Sequence, residues 1–229
     1  MKPLASANSQ SVNVPNLSER DLIAEDRLTE RHFALQHANA AGPPNLELAA
    51  LDPLLRTLLF TDGTVTRVLE AHTLCDVAVE LVEQTRMRLS AQAAGHLNVG
   101  DATECLRRRV TMGAGKSVPL VWAESHILPS RLPAGFLGLL ESAPNGIGGS
   151  IEHARIESRR ELLWFRLGKP PQWATAPAQT SSIVRLYRIV TNGQPALLIC
   201  EAFAVERQSG MYRPFVLAGT APDPLGAVA

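Results

Sequence analysis

The chain has 229 residues, and its 22 Lys plus Arg residues balance 22 Asp plus Glu residues, for a formal net charge of zero. Without a surplus of positive charge there is no chain-wide pull toward nucleic acid or an acidic membrane surface, so a generic nucleic-acid coat protein is disfavoured. Hydrophobic residues make up 45% of the chain, which is globular rather than disordered composition, and the length fits one domain with additions at its ends.

No apolar run reaches the roughly 18 residues of a membrane span, and the polar N-terminus lacks the apolar stretch of a signal peptide. Cys75, Cys105 and Cys200 form no paired motif, which fits a reducing cytoplasm. Among the basic residues only Lys2, Lys116 and Lys169 are lysines, and three arginines are consecutive at Arg107, Arg108 and Arg109. Arginine is the planar fork that grips carboxylates bidentately.

In chain order, residues 1–45 form a polar N-terminal extension with a peripheral helix starting near Ser18. Asp52-Pro53 then opens a helix over 54–60, proline sitting where its missing N–H costs nothing, and Asp62-Gly63 makes a turn. Period-2 alternation predicts strands over 77–82 and 106–112. Residues 113–117 turn the chain into a strand over 120–128. A helix is expected over 132–140, then a glycine-rich loop over 145–149. Asn192-Gly193 sits between strands over 184–190 and 196–205, a strong hairpin signal, and the tail over 208–229 reads as a poorly ordered end. The fold class is α+β: a single domain over 46–207, an antiparallel sheet with one or two helices laid on it.

The run Gly113-Ala114-Gly115-Lys116-Ser117 is not a phosphate loop, since Val110 stands where that motif needs glycine and no helix follows. In the strand over 106–112, Arg108 shares a face with Leu106, Val110 and Met112, so it points inward while Arg107 and Arg109 point out. A buried guanidinium needs an anion, supplied either by an internal carboxylate or by a carboxylate ligand. Glu201 lies in a strand so apolar that both faces are covered. It either neutralises Arg108 or serves as an acid or hydrogen-bonding group in a cavity, and the two roles are compatible. The six histidines show no metal-ligand spacing and no GxSxG elbow occurs, so neither a metal nor a nucleophilic serine is assigned. The glycines around Ile147 leave room either for backbone N–H groups to approach a ligand or for a flexible connector.

Taken together, the residues resemble the chorismate pyruvate-lyase family, in particular its 4-hydroxybenzoate-forming bacterial and mycobacterial branch. The matching pieces include Leu58-Leu59-Phe60-Thr61-Asp62-Gly63-Thr64-Val65, the arginine strand leading to Ala123-Glu124-Ser125, and Gly146-Ile147-Gly148. Further on come Ser158-Arg159-Arg160-Glu161, Tyr187-Arg188-Ile189-Val190 and Glu201-Ala202-Phe203. The resemblance implies an antiparallel sheet with helices around an internal cavity, a monomer, no metal or organic cofactor, and removal of the enolpyruvyl group from chorismate. By motif position it implies Glu201 near the ether or hydroxyl oxygen and either Arg107 or Arg108 on the ring carboxylate; the strand face selects Arg108. It also places Val65 and Ile147 against the product. The same fold serves as the sensor domain of some transcription regulators, so a non-catalytic binder of aromatic carboxylates is the competing expectation, as is a lyase on another chorismate-like enol ether. The first 45 residues are too few and too polar for a helix-turn-helix domain. The downstream pathway, whether to ubiquinone, a glycolipid or another product, stays open.

Overall fold

A computed structural model of the chain describes residues 27–35, 46–114, 119–142, 146–177 and 180–214. The expected strands become β1 (Val77–Arg88), β2 (Glu104–Ala114), β3 (Val121–Ile127), β5 (Ser181–Thr191) and β6 (Gln194–Gln208), and two that were not expected join them, β4 (Ser158–Gly168) and β7 (Met211–Pro214). They form a seven-stranded sheet in the order β1-β2-β3-β6-β5-β4, with β7 beside the end of β6, and every strand pair is antiparallel. The β5–β6 hairpin turns at Asn192 and Gly193, whose φ angles of 49° and 75° are both left-handed. That turn matches the right-handed twist of the strands it joins.

Among the described residues, helices α1 (Pro53–Phe60), α2 (Val65–Thr73), α3 (Ala91–Leu97), α4 (Phe136–Ser142) and α5 (Gly146–His153) accompany the sheet, and residues 27–32 are also helical. In α1 the Asp52 carboxylate accepts from the Leu54 N–H at 2.9 Å and Pro53 opens the first turn, as expected. No helix among the described residues is long and apolar enough to cross a membrane.

Both faces of the sheet are covered. On one, Leu197, Ile199 and Phe203 of β6 pack with Leu55, Leu58 and Leu59 of α1, Val65 and Leu69 of α2, Phe136 and Leu140 of α4, and Ile151 of α5. On the other, Leu198, Ala202 and Ala204 pack with Ala93, Ala94 and Leu97 of α3. Alternation along a strand sends successive side chains into these two cores.

Several expectations are corrected. The helix placed over 132–140 begins only at Phe136: Leu132, held by the following Pro133, is extended at φ −118° and ψ 152°, and Gly135 takes φ 86°. A residue before proline is pushed out of the helical region, and a left-handed glycine breaks a helix. Of the glycine-rich loop placed over 145–149, residues 146–149 are instead the start of α5, with only Gly146 of its glycines left-handed at φ 65°, and residue 145 lies outside those described. Gly148 is needed for close approach, since a Cβ there would lie 3.0 Å from Thr64 Cγ2. Part of the turn placed over 113–117 belongs to β2, and residues 115–117 lie outside those described. The tail expected past Gln208 is instead a strand over Met211–Pro214, because β7 pairs with β6 over 205–208, and residues 215–229 lie outside those described. Helices α2, α3 and α5 bring the total above the one or two expected.

Candidate active site

The inward row of β2 contains Arg108, which is 6% exposed, and the residues facing outward on either side are Arg107 and Arg109. The outward pair is neutralised on the far face of the sheet: Glu83 accepts from Arg107 at 2.6 Å and from Arg109 at 2.8 Å, and Glu124 accepts from Arg109 at 2.6 Å. The guanidinium of Arg109 also stands 5.4 Å from the ring centre of Trp173. His126, 3.2 Å from Glu124, and then Arg109 hold the Glu124 carboxyl at about 2 instead of 4.5, against the upward push of burial.

Such a depressed carboxyl stabilises the fold fully above pH 4.5, and the contribution is lost as the pH falls toward 2. In acid melts the wild-type Tm is therefore expected to fall more steeply through that window than the Tm of Glu124→Gln; parallel curves would rule out this network as an acid-labile support.

Arg108 is placed differently from its neighbours. Its Nη1 donates to Oε1 of Gln84 at 2.8 Å, and Gln84 Nε2 donates in turn to Glu141 at 3.1 Å. Arg108 Nε is buried without a hydrogen-bond partner, and no carboxylate forms an ion pair with this guanidinium among the described residues. Burial pulls its pKa below the ordinary arginine value, and the charge of Glu141 acts in the opposite direction.

The anion that balances a buried arginine in this core is Glu201, and the arginine is Arg185, which the sequence did not flag. Arg185 Nε donates to Glu201 Oε2 at 2.7 Å, with Arg185 wholly buried and Glu201 3% exposed. The Tyr187 hydroxyl donates to the other oxygen, Oε1, at 3.0 Å. Burial first, and then the Glu201 charge, push the Tyr187 phenol well above its usual range, so it keeps its proton and remains a donor. Arg185 Nη1 also donates to the backbone carbonyls of Leu58, Leu59 and Thr61, where the last turn of α1 leaves acceptors without helical partners. Its guanidinium lies 4.8 Å from the Tyr187 ring centre and 5.6 Å from that of Phe203. Period-2 reading of 184–190 puts Arg185 and Tyr187 on one face, so the signal was present: a charge in an apolar strand, as at Glu201.

Between the face of the sheet that packs on α1 and the first turns of α2 and α5 lies a small cavity of about 50 Å³. Arg108, Glu201, Val65 and Ile147, the residues singled out from sequence, all line it. So do Tyr187 and Arg160, which were not. The space exists because the inward residues at the middle of β3 are small: Ala123 lies opposite Glu201 and Ser125 opposite Arg108. Arg108 and Glu201 thus stand two strand spacings apart and two residues out of line, about 12 Å between their backbones, with only Ala123 and Ser125 on the strand between them. Val65 and Ile147 close the cavity from the helix side, on first turns whose positive dipole ends favour anions. The arrangement suits a flat, partly apolar molecule with a carboxylate at one end and a hydroxyl or ether oxygen at the other.

The model of a family described as chorismate pyruvate-lyase Rv2949c-like matches residues 59–209. A protein named chorismate pyruvate-lyase from Mycobacterium tuberculosis (strain ATCC 25618 / H37Rv) is 28% identical over 166 residues, covering 69% of this chain and 82% of the relative. One of the same name from Mycobacterium leprae (strain TN) is 29% identical over 164 residues, covering 69% and 77%. Among solved structures, PhnF from Mycobacterium smegmatis aligns with a TM-score of 0.52 at 14% identity, over 65% of this chain and 66% of that one, a likeness of fold alone. With its sheet, its helices and a family match over most of its length, this chain belongs to the Rv2949c-like chorismate pyruvate-lyase family.

Proposed function

We propose that the protein is a chorismate pyruvate-lyase, converting chorismate to 4-hydroxybenzoate and pyruvate. The observation that carries this reading is the pair of opposed groups in one cavity: a buried guanidinium without a carboxylate partner, Arg108, and the Glu201 carboxylate across the floor. Chorismate bears a ring carboxylate at C1, the enolpyruvyl ether at C3 and a hydroxyl at C4. In the elimination the C3–oxygen bond breaks and C4 loses its hydrogen as a proton. The ring becomes aromatic, and the departing enolpyruvate takes up a proton on its methylene carbon to become pyruvate.

The protein's part is positioning and electrostatics. Arg108 anchors the ring carboxylate with its guanidinium N–H groups. Glu201, whose two oxygens each already accept one hydrogen bond, from Arg185 and from Tyr187, stands as an acceptor for the C4 hydroxyl and fixes the opposite end. Val65 and Ile147 press the ring against Ala123, so the reacting bond sits in a space with little water, where charge on the ether oxygen responds strongly to nearby donors. The described cysteines are all free, which fits a reducing cytoplasm.

Incubation with chorismate tests the reading. Equal amounts of 4-hydroxybenzoate and pyruvate are expected; tight binding of 4-hydroxybenzoate without turnover would make the protein a sensor-type binder instead. The cavity floor gives a second check. Ala123→Leu adds three carbons between Arg108 and Glu201, and it is expected to weaken 4-hydroxybenzoate binding by about tenfold or more while costing about 1–3 kcal/mol of stability. Unchanged binding in a titration would move the ligand site elsewhere.

A further inference from the structure

The substrate on this reading carries two carboxylates, and Arg108 accounts for one of them. A second guanidinium lines the same cavity, that of Arg160 on β4. In the sheet order β6 lies two strands from β2 and two from β4, so Arg108 and Arg160 rise from opposite sides of the strand that carries Glu201, Arg160 from a backbone position level with Leu197. Arg160 Nη1 donates to the backbone carbonyl of Asp62, which holds the head group beside Gly63 and Thr64 at the start of α2. Arg160 Nε is buried without a hydrogen-bond partner, and no carboxylate forms an ion pair with Arg160 among the described residues. Asp62 adjoins Thr61, whose carbonyl accepts from Arg185, the partner of Glu201, so the Arg160 head group lies toward the Glu201 end of the cavity. Thr64, at the N-cap of α2, makes no side-chain cap, so the first-turn N–H groups are not capped by that residue, and Thr64, Val65 and Thr66 line the same space.

We infer that Arg160, together with the first turn of α2, binds the enolpyruvyl carboxylate of the substrate. The inference rests on the lyase reading and adds a specificity-determining residue to it. A carboxylate held there keeps the ether substituent on the Glu201 side of the ring, and it turns a site for a monocarboxylate into one that prefers a dicarboxylate. Once the ether bond breaks, the two carboxylates belong to separate molecules, so pyruvate and 4-hydroxybenzoate no longer hold one another in place.

The test compares Arg160→Gln and Arg160→Lys with wild type, measuring KM and Kd for chorismate beside Kd for 4-hydroxybenzoate, which lacks the second carboxylate. Glutamine is expected to weaken chorismate about 10- to 100-fold and to leave 4-hydroxybenzoate within about twofold, with lysine recovering part of the loss. Equal weakening of both ligands would mean that Arg160 only holds the Asp62 segment, and no change in either would remove it from the site; each result overturns the inference. If wild type binds chorismate without turning it over, the lyase reading fails while the two Kd values still decide the role of Arg160. A wild-type protein that binds neither ligand overturns both.

Discussion

Arg108→Ala is expected to lower kcat/KM for chorismate by about 100-fold or more, whereas Arg107→Ala stays within about threefold of wild type, a contrast of at least about 2 kcal/mol read by steady-state kinetics. The two residues are adjacent, so composition, local charge and loop context are shared, and only the strand face differs. Arg107 points away from the cavity and pairs with a partly exposed Glu83, an arrangement worth little when broken. Arg108 is buried, donates only to neutral Gln84, and keeps Nε unsatisfied beside the cavity. Its desolvation is recovered when a carboxylate arrives, so truncation removes charged hydrogen bonds made in a water-poor space. Binding of 4-hydroxybenzoate should fall by a similar factor. If Arg107→Ala proved the more damaging change, the assignment of the inward face to Arg108 would be wrong.

That face was legible because the run Leu106-Arg107-Arg108-Arg109-Val110-Thr111-Met112 alternates cleanly, and β2 lies between two paired strands that hold its register. The β5–β6 hairpin was legible for a similar local reason, the Asn192-Gly193 pair. Helix α5 was not, because Gly146, Gly148 and Gly149 are poor helix formers, and the helix is set by tertiary contact, Gly148 fitting against Thr64 where a larger residue would collide. Helix α2 begins on β-branched Val65 and Thr66, which favour strands when taken alone. The site was half legible: Arg108 and Glu201 stood out as charges in apolar strands, but which charges pair across strands depends on sheet order. Arg185 meets Glu201 because β5 lies directly beside β6 with those residues in register, a non-local fact that periodicity does not carry.

The pairing of Arg185 with Glu201 sets the second expectation. Glu201→Gln is expected to reduce turnover by about 100-fold and also to destabilise the fold by about 3–5 kcal/mol, because it leaves a fully buried guanidinium without its counter-charge. For a domain of this size that corresponds to a Tm lower by about 10 °C. Stability and chemistry are separable by the double variant Arg185→Met/Glu201→Met. Removing both charges is expected to recover part of the lost Tm, held back by the α1 carbonyls that Arg185 no longer caps, with activity still absent. A double variant less stable than Glu201→Gln would show that the ion pair does not carry the cost, and wild-type turnover in Glu201→Gln would reduce Glu201 to a structural role.

The orientation of the ligand between Arg108 and Glu201 is the centre of the account, and a crystal structure of the complex with 4-hydroxybenzoate tests it most directly. The carboxylate is expected within about 3 Å of the Arg108 guanidinium and the hydroxyl oxygen within about 3 Å of Glu201, with Val65 and Ile147 against the ring. A ligand turned end for end, with its carboxylate at Arg160 and its hydroxyl toward Gln84, or one seated outside this cavity, would contradict it.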